Sequence, residues 1–221
     1  MKKKIALLVG ATGAVGSELM SLILNGKEFE ELHVLARKQN NVDDNRLKWI
    51  VGDLLNYDFL KKSISEDVTH IFCCIGTTKN QTPNKQEYID IDFGIPYNLI
   101  NIGNTLPNVE YIGVVSAIGA DSKSMVLYSR LKGQVEETLK ESKVLTRVVA
   151  QPSLIDSERS KFRIGEWIAL KLFTILNPLI PFSYKKISAS TIAKALYSMS
   201  NQKADTGYIV LSNEQMLKKY K

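Results

Sequence analysis

The stretch LLVGATGAVGSELMSLIL sets Gly10, Gly13 and Gly16 directly behind an apolar run and at the opening of an amphipathic one. Few folds accept that order of residues. An apolar strand that stops at a glycine turn and passes at once into a helix is the first βα unit of a sheet covered by helices, because glycine permits both the tight reversal and close packing of helix on strand. Further short apolar runs, KIALLVG, ELHVLAR, LKWIVGD, THIFCCIG, NVEYIGVVSAIG and LTRVVAQPS, alternate with helix-length patterns. Strands that are apolar nearly throughout are those covered on both faces, so the expected fold is α/β, a doubly wound parallel sheet.

With 221 residues, 44% of them hydrophobic, the chain can furnish one folded unit with a real core. Residues 1–155 read as a dinucleotide-binding core. The rhythm changes after Pro152, and residues 156–221 read as a small substrate or lid lobe integral to the same domain. The opening MKKKIALLVG reads as a first strand rather than a signal, since its apolar run breaks at Gly10. Residues 164–182 are the most apolar segment, yet Glu166, Lys171, Pro178 and Pro181 interrupt it, which argues against a membrane span. That segment reads as a buried lid or an oligomer contact, with peripheral membrane or protein contact as the alternative. The oligomeric state is left open.

Cys73 and Cys74 are adjacent and match neither a redox nor a zinc spacing, which leads to the expectation of a reducing, cytoplasmic setting. His33 and His70 lie in strand-like runs and are expected to be structural, with no metal site. The net charge of +6 comes from lysines dispersed among acids, as in GQVEETLKESK. No basic stripe with interleaved aromatics is present, so nucleic acid is not expected as a partner and the excess charge suits a small anionic ligand.

A glycine turn at a strand–helix junction lets backbone N–H groups approach a pyrophosphate, and the helix N-terminus adds partial positive charge. The spacing here is GxxGxxG, with Thr12, Ala14 and Val15 as the intervening positions that would meet a dinucleotide. After the second strand, where an acidic residue would hold a ribose 2′-hydroxyl, VLARKQ presents Arg37 and Lys38, which suits the 2′-phosphate of NADP(H). Asp53, followed by Leu54, ends the third strand and serves either the adenine amino group or the cap of the next helix.

VLYSRLKGQ puts Tyr128 and Lys132 at i and i+4, neighbours on one helix face. Tyr57 and Lys61 repeat the spacing, so spacing alone does not choose between the pairs. Ser116, at the end of YIGVVS, does: it stands at the carboxyl edge of the fifth strand, whereas the Tyr57 helix follows the third, toward the adenine end. Carbonyl reduction needs a hydride donor, a group that polarises the oxygen and a proton source. In this reading Tyr128 gives the proton, Lys132 favours its phenolate and holds ribose hydroxyls, and Ser116 orients the substrate oxygen.

The glycine turn, Ser116, Tyr128 and Lys132 together resemble an atypical short-chain dehydrogenase/reductase. FCCIGTTK, GAD, LYSRLKGQVE and GEW resemble the Tat-interacting-protein-30-like oxidoreductases within it. The resemblance implies a Rossmann fold carrying NADPH, with Cys74, Gly76 and Thr77 passing the cofactor and Pro152 beside it. It also marks two departures. Asp92 falls where many extended relatives carry asparagine, and AQPS puts Gln151 and Ser153 where Arg-Pro-Gly is usual. The leading expectation is an NADPH-dependent oxidoreductase for a small carbonyl or alcohol. The alternatives are an NADPH-sensing regulatory protein that contacts a partner and, third, a nucleotide-sugar epimerase or dehydratase.

Overall fold

The computed structural model describes residues 3–156, 181–202 and 206–221. The opening run forms β1 (Ile5–Val9), the glycine turn feeds α1 (Ala14–Asn25), and β2 (Glu31–Ala36) and β3 (Leu47–Val51) follow. After α2 (Tyr57–Ser63) come β4 (His70–Cys73) and a long helical passage made of α3 (Lys85–Ile89), a π-helical turn (Asp90–Gly94) and α4 (Ile95–Thr105). Then come β5 (Tyr111–Val115), α5 (Leu127–Glu141), β6 (Thr146–Gln151) and the short β7 (Ile155–Asp156). Beyond residue 180 lie a 3-10 turn (Phe182–Tyr184), β8 (Ile187–Ser188), α6 (Ala189–Ser200), β9 (Gly207–Ser212) and α7 (Asn213–Lys219).

Seven strands form one parallel sheet in the order β3-β2-β1-β4-β5-β6-β9. Successive side chains of a strand point to opposite faces, and the core divides accordingly. Ala6 and Leu8 join α1 and α6 on one side, through Leu19, Ile23, Ile192 and Leu196. Ile5, Leu7 and Val9 join α2, α4 and α5 on the other, through Leu60, Leu99 and Val135. The doubly wound sheet expected from the apolar runs is the observed fold.

The division at residue 155 does not hold for the sheet. β9 pairs in parallel with β6, from Thr146↔Gly207 to Gln151↔Ser212, and α6 packs against α1. The described residues after 180 therefore complete the core rather than form a separate lobe. Without β9, β6 would expose an unpaired edge, the kind of liability that native sheets cover. What lies apart is the two-stranded β7–β8 sheet. Nearly all of the apolar segment 164–182 lies outside the described residues. Among the described residues, no helix is long and apolar enough to cross a membrane.

His70 is structural, as its strand context implied. It is buried, its Nε2 lies 3.1 Å from the Ser200 carbonyl and its Nδ1 2.8 Å from Thr69 Oγ1, and it stacks on Tyr111. Burial, with the Lys4 charge nearby, pushes its pKa down to about 3. A histidine kept neutral by the fold must be charged by acid in the unfolded chain, so its stabilising contribution is intact above about pH 6.5 and lost as pH falls toward 3. We expect His70 alone to remove on the order of 3 kcal/mol of stability by pH 4. Urea titrations at successive pH values, with the imidazole followed by NMR, check this; an imidazole already charged at pH 5 in the folded protein would contradict it.

Candidate active site

Four strand ends build the site. Gly10 follows β1, Cys74 follows β4, Ser116 follows β5 and Pro152 follows β6, and the register pairs Val9 with Cys73, Cys73 with Val114 and Val115 with Ala150. All four thus share one edge of the sheet. The chain runs outward from β1 to β3 and then crosses back to β4, so the β1/β4 boundary is the switch point where this architecture opens a crevice.

At that crevice the glycine turn is obligatory. Gly10 has φ +89°, and a Cβ there would sit 2.6 Å from the Cys74 carbonyl carbon and oxygen. A Cβ on Gly16 would lie 2.1 Å from the Gly10 carbonyl oxygen. The turn closes with Gly13 N–H donating to Gly10 O at 2.9 Å. α1 begins at Gly13 without a side-chain cap and without an acid in its first turn, leaving its amide end open to an anion. Val15 packs into the core, so only the backbone of that position faces outward.

Arg37 and Lys38 are exposed just beyond β2 and make no ion pair or hydrogen bond with another described residue. Asp53 caps no helix: its Oδ1 accepts from Leu55 N at 2.9 Å, while Asn56 caps α2. Leu54 is a core side chain. Tyr57 and Lys61 lie on the exposed face of α2, which follows β3 at the outer edge of the sheet.

α5 carries the candidate residues Tyr128 and Lys132. Lys132 Nζ lies 5.9 Å from the Tyr128 ring centroid, and the phenol is 40% exposed with no hydrogen bond to its hydroxyl among the described residues. Lys132 is buried and pairs with Asp92, Nζ to Oδ1 at 3.0 Å. Burial pulls the Lys132 pKa down, but the Asp92 carboxylate more than offsets this and holds it above the ordinary lysine value. Asp92 reaches the lysine because the π-helical turn resets the helix at that point, a distortion frequent at functional sites. Its Oδ2 accepts from Thr77 N at 2.9 Å, which ties the β4 loop to α5.

One turn beyond Lys132, Glu136 accepts from Ser116 Oγ at 2.5 Å and, through both carboxylate oxygens, from Gln151 Nε2 at 3.0 and 2.9 Å. Burial raises the Glu136 carboxyl above the usual range, against the pull of these hydrogen bonds. In this arrangement the hydrogen of buried Ser116 is directed to Glu136. Burial also pushes the Cys73 thiol up to about 11 and the Cys74 thiol further, so neither is a thiolate nucleophile.

The family profile described as "NAD dependent epimerase/dehydratase family" matches residues 6–141, which holds the glycine turn, Asp92, Ser116 and the whole α5 face. The chain belongs to that family. Its relatives include Protein HTATIP2 of Rattus norvegicus, 24% identical with 94% of this chain and 84% of that protein covered. Protein FMP52, mitochondrial, of Debaryomyces hansenii is 23% identical with 91% and 90% covered. The kinship with the Tat-interacting protein 30 family expected from FCCIGTTK and LYSRLKGQVE therefore holds. Among solved structures, a short chain dehydrogenase family protein from Francisella tularensis superposes with TM-score 0.72 at 15% identity, covering 97% of this chain and 99% of that one. A short chain dehydrogenase from Burkholderia cenocepacia, solved in complex with NADP, gives 0.69 at 15% identity with 96% and 89% covered. These likenesses establish the fold, and the family is one of nicotinamide-dinucleotide oxidoreductases and epimerases.

The epimerase/dehydratase family membership comes with one correction. The cytoplasmic setting expected from the cysteines is overturned, because FMP52 relatives from several yeasts and from Aspergillus niger are named mitochondrial. Two unpaired thiols report a lack of oxidative pairing, and that condition does not single out one compartment. Sequence reasoning also passed over Glu136, although its signal was present: Tyr128, Lys132 and Glu136 continue one i, i+4 series on α5.

Proposed function

We propose that the protein is an NADPH-dependent oxidoreductase that interconverts a small carbonyl compound and its alcohol, with Tyr128 as the acid/base. The arrangement of Tyr128, Lys132 and Ser116 on the edge that also carries the open glycine turn is the observation that supports this reading. A nicotinamide dinucleotide fits the residues present: Gly10 and Gly16 let the turn close on the chain's own backbone without a Cβ in the way, and the α1 N-terminus has no side-chain cap. Buried Asp92 Oδ1 has no aligned hydrogen bond although Lys132 Nζ lies 3.0 Å from it, and both atoms lie beside the Gly76 loop expected to pass the cofactor. When bound, the cofactor supplies a hydride to the carbonyl carbon. The chain's own part is to hold the substrate oxygen near Tyr128, deliver the phenolic hydrogen to it, and stabilise the charge left on the phenol with the Lys132 ammonium.

Absorbance of NADPH followed with a panel of aldehydes, ketones and quinones tests the reading. Consumption with any of them supports it. Tight NADPH binding with no consumption across the panel would favour the second reading, an NADPH sensor, which the engagement of Ser116 by Glu136 and of Lys132 by Asp92 also accommodates.

For the cofactor, Arg37→Asp is expected to weaken NADPH binding by about 10- to 100-fold, the worth of a charge-assisted hydrogen bond to a phosphate, and to change NADH binding little. Fluorescence titrations with both nucleotides decide the point. Equal losses for the two would remove Arg37 from the 2′-phosphate site.

A further inference from the structure

A cleft of about 600 Å³ opens between the segment after β4 and the start of α5. Lys79, Lys85 and Arg130 line it, no aspartate or glutamate does among the described residues, and Met125 and Val126 form an apolar wall. Its lining is linked to the candidate site through the chain: Leu127 precedes Tyr128 on α5, and Thr82 shares a hydrogen bond with Thr77, which is bonded to Asp92. Met125 is 95% and Val126 62% exposed, an unusual surface for apolar side chains beside a catalytic helix.

The charges are unbalanced as well as clustered. The side chains of Lys79 and Lys85 make no ion pair or hydrogen bond with another described residue. Arg130 spends one guanidinium nitrogen on the Ser124 carbonyl, at 2.8 Å, and its other donors remain. Three cations around one concavity repel each other and focus a positive potential into it, an arrangement that an anion entering the cleft relieves.

We propose that this cleft receives the substrate and selects an amphipathic anion: a carbonyl compound or alcohol whose carboxylate or phosphate meets Lys79, Lys85 and Arg130 while its carbon chain lies on Met125 and Val126. The proposal rests on the oxidoreductase reading for the term substrate, but the anion site itself does not depend on turnover. Carboxylate and phosphate share the chemistry that recognises them here, and the test separates them.

The test is calorimetric titration of the full chain, loaded with NADPH, with octanoate, octyl phosphate and octanol. Either anion is expected to bind at least about tenfold more tightly than octanol, with the stronger of the two naming the headgroup, and to weaken as salt is raised. Lys79→Glu combined with Lys85→Glu is expected to remove that preference; both positions are exposed, and a matched thermal melt verifies that the fold is intact. Equal affinity for anions and octanol, or a preference that survives the double substitution, would overturn the proposal. Anion binding that follows this pattern in a protein without turnover would sink the oxidoreductase reading and leave the site standing.

Discussion

Tyr128→Phe is expected to lower turnover by about 10²- to 10⁴-fold, the range typical for loss of a positioned proton donor, with NADPH affinity and folding retained. The expectation follows from where the hydroxyl hydrogens go. Ser116 gives its hydrogen to Glu136, so it cannot also donate to a carbonyl oxygen. The phenol of Tyr128 has no such commitment among the described residues. Under the proposed oxidoreductase reading, deleting its oxygen deletes the proton source, while the ring beside the Lys132 ammonium stays in place. Because the residue is partly exposed, the substitution should cost about 0.5 kcal/mol or less in stability. The kcat of the variant with whichever carbonyl the absorbance screen returns, beside its melting temperature, checks both halves. Turnover kept within about threefold would place the acid on another group, since a lost general acid costs far more.

The glycine turn and the central strands were legible because their signals are local. KIALLVG and ELHVLAR each announce a buried strand, LKWIVGD a strand that proves to be the half-exposed edge, and glycine at position 10 satisfies a backbone need set within a few residues. GYIVL is just as legible as a strand, but nothing in its own residues says that it pairs with β6; that contact is decided by which sheet edge remains open. The same limit hid Glu136. Its place on the α5 face follows from helical spacing, whereas its bond to Ser116 depends on how α5 lies across the end of β5. Asp92 shows the limit from the other side: the sequence exposed the substitution of an acid for an amide, but the π-helical turn that carries it to Lys132 leaves no mark in the periodicity.

Asp92→Ala is expected to destabilise the protein by about 3 to 5 kcal/mol near neutral pH, because it strips a buried ammonium of its counter-charge and leaves Thr77 N–H without its acceptor. The pH dependence identifies the cause. In the parent the Asp92 carboxylate holds the Lys132 pKa above its ordinary 10.5, so the pair's stabilisation is complete below that value and is lost as pH rises through the raised one. In the variant, burial, the largest influence on this lysine, loses its main opponent and depresses the pKa instead, so protonation costs the folded state stability at neutral pH and less as pH climbs toward 10.5. The gap between parent and variant should therefore narrow steadily from pH 7 to pH 10 in urea titrations. Asp92→Asn supplies the comparison: its carbonyl oxygen still accepts from Thr77 but carries no charge, so it should recover part of the loss and retain the same narrowing. A constant gap across that range would mean that lost packing, not the stranded charge, is responsible. Since the same ammonium faces Tyr128, the charge that keeps this helix in place is also the one available to the proton donor, and the depressed lysine of Asp92→Ala should shift the pH profile of kcat toward acid as it loses its proton.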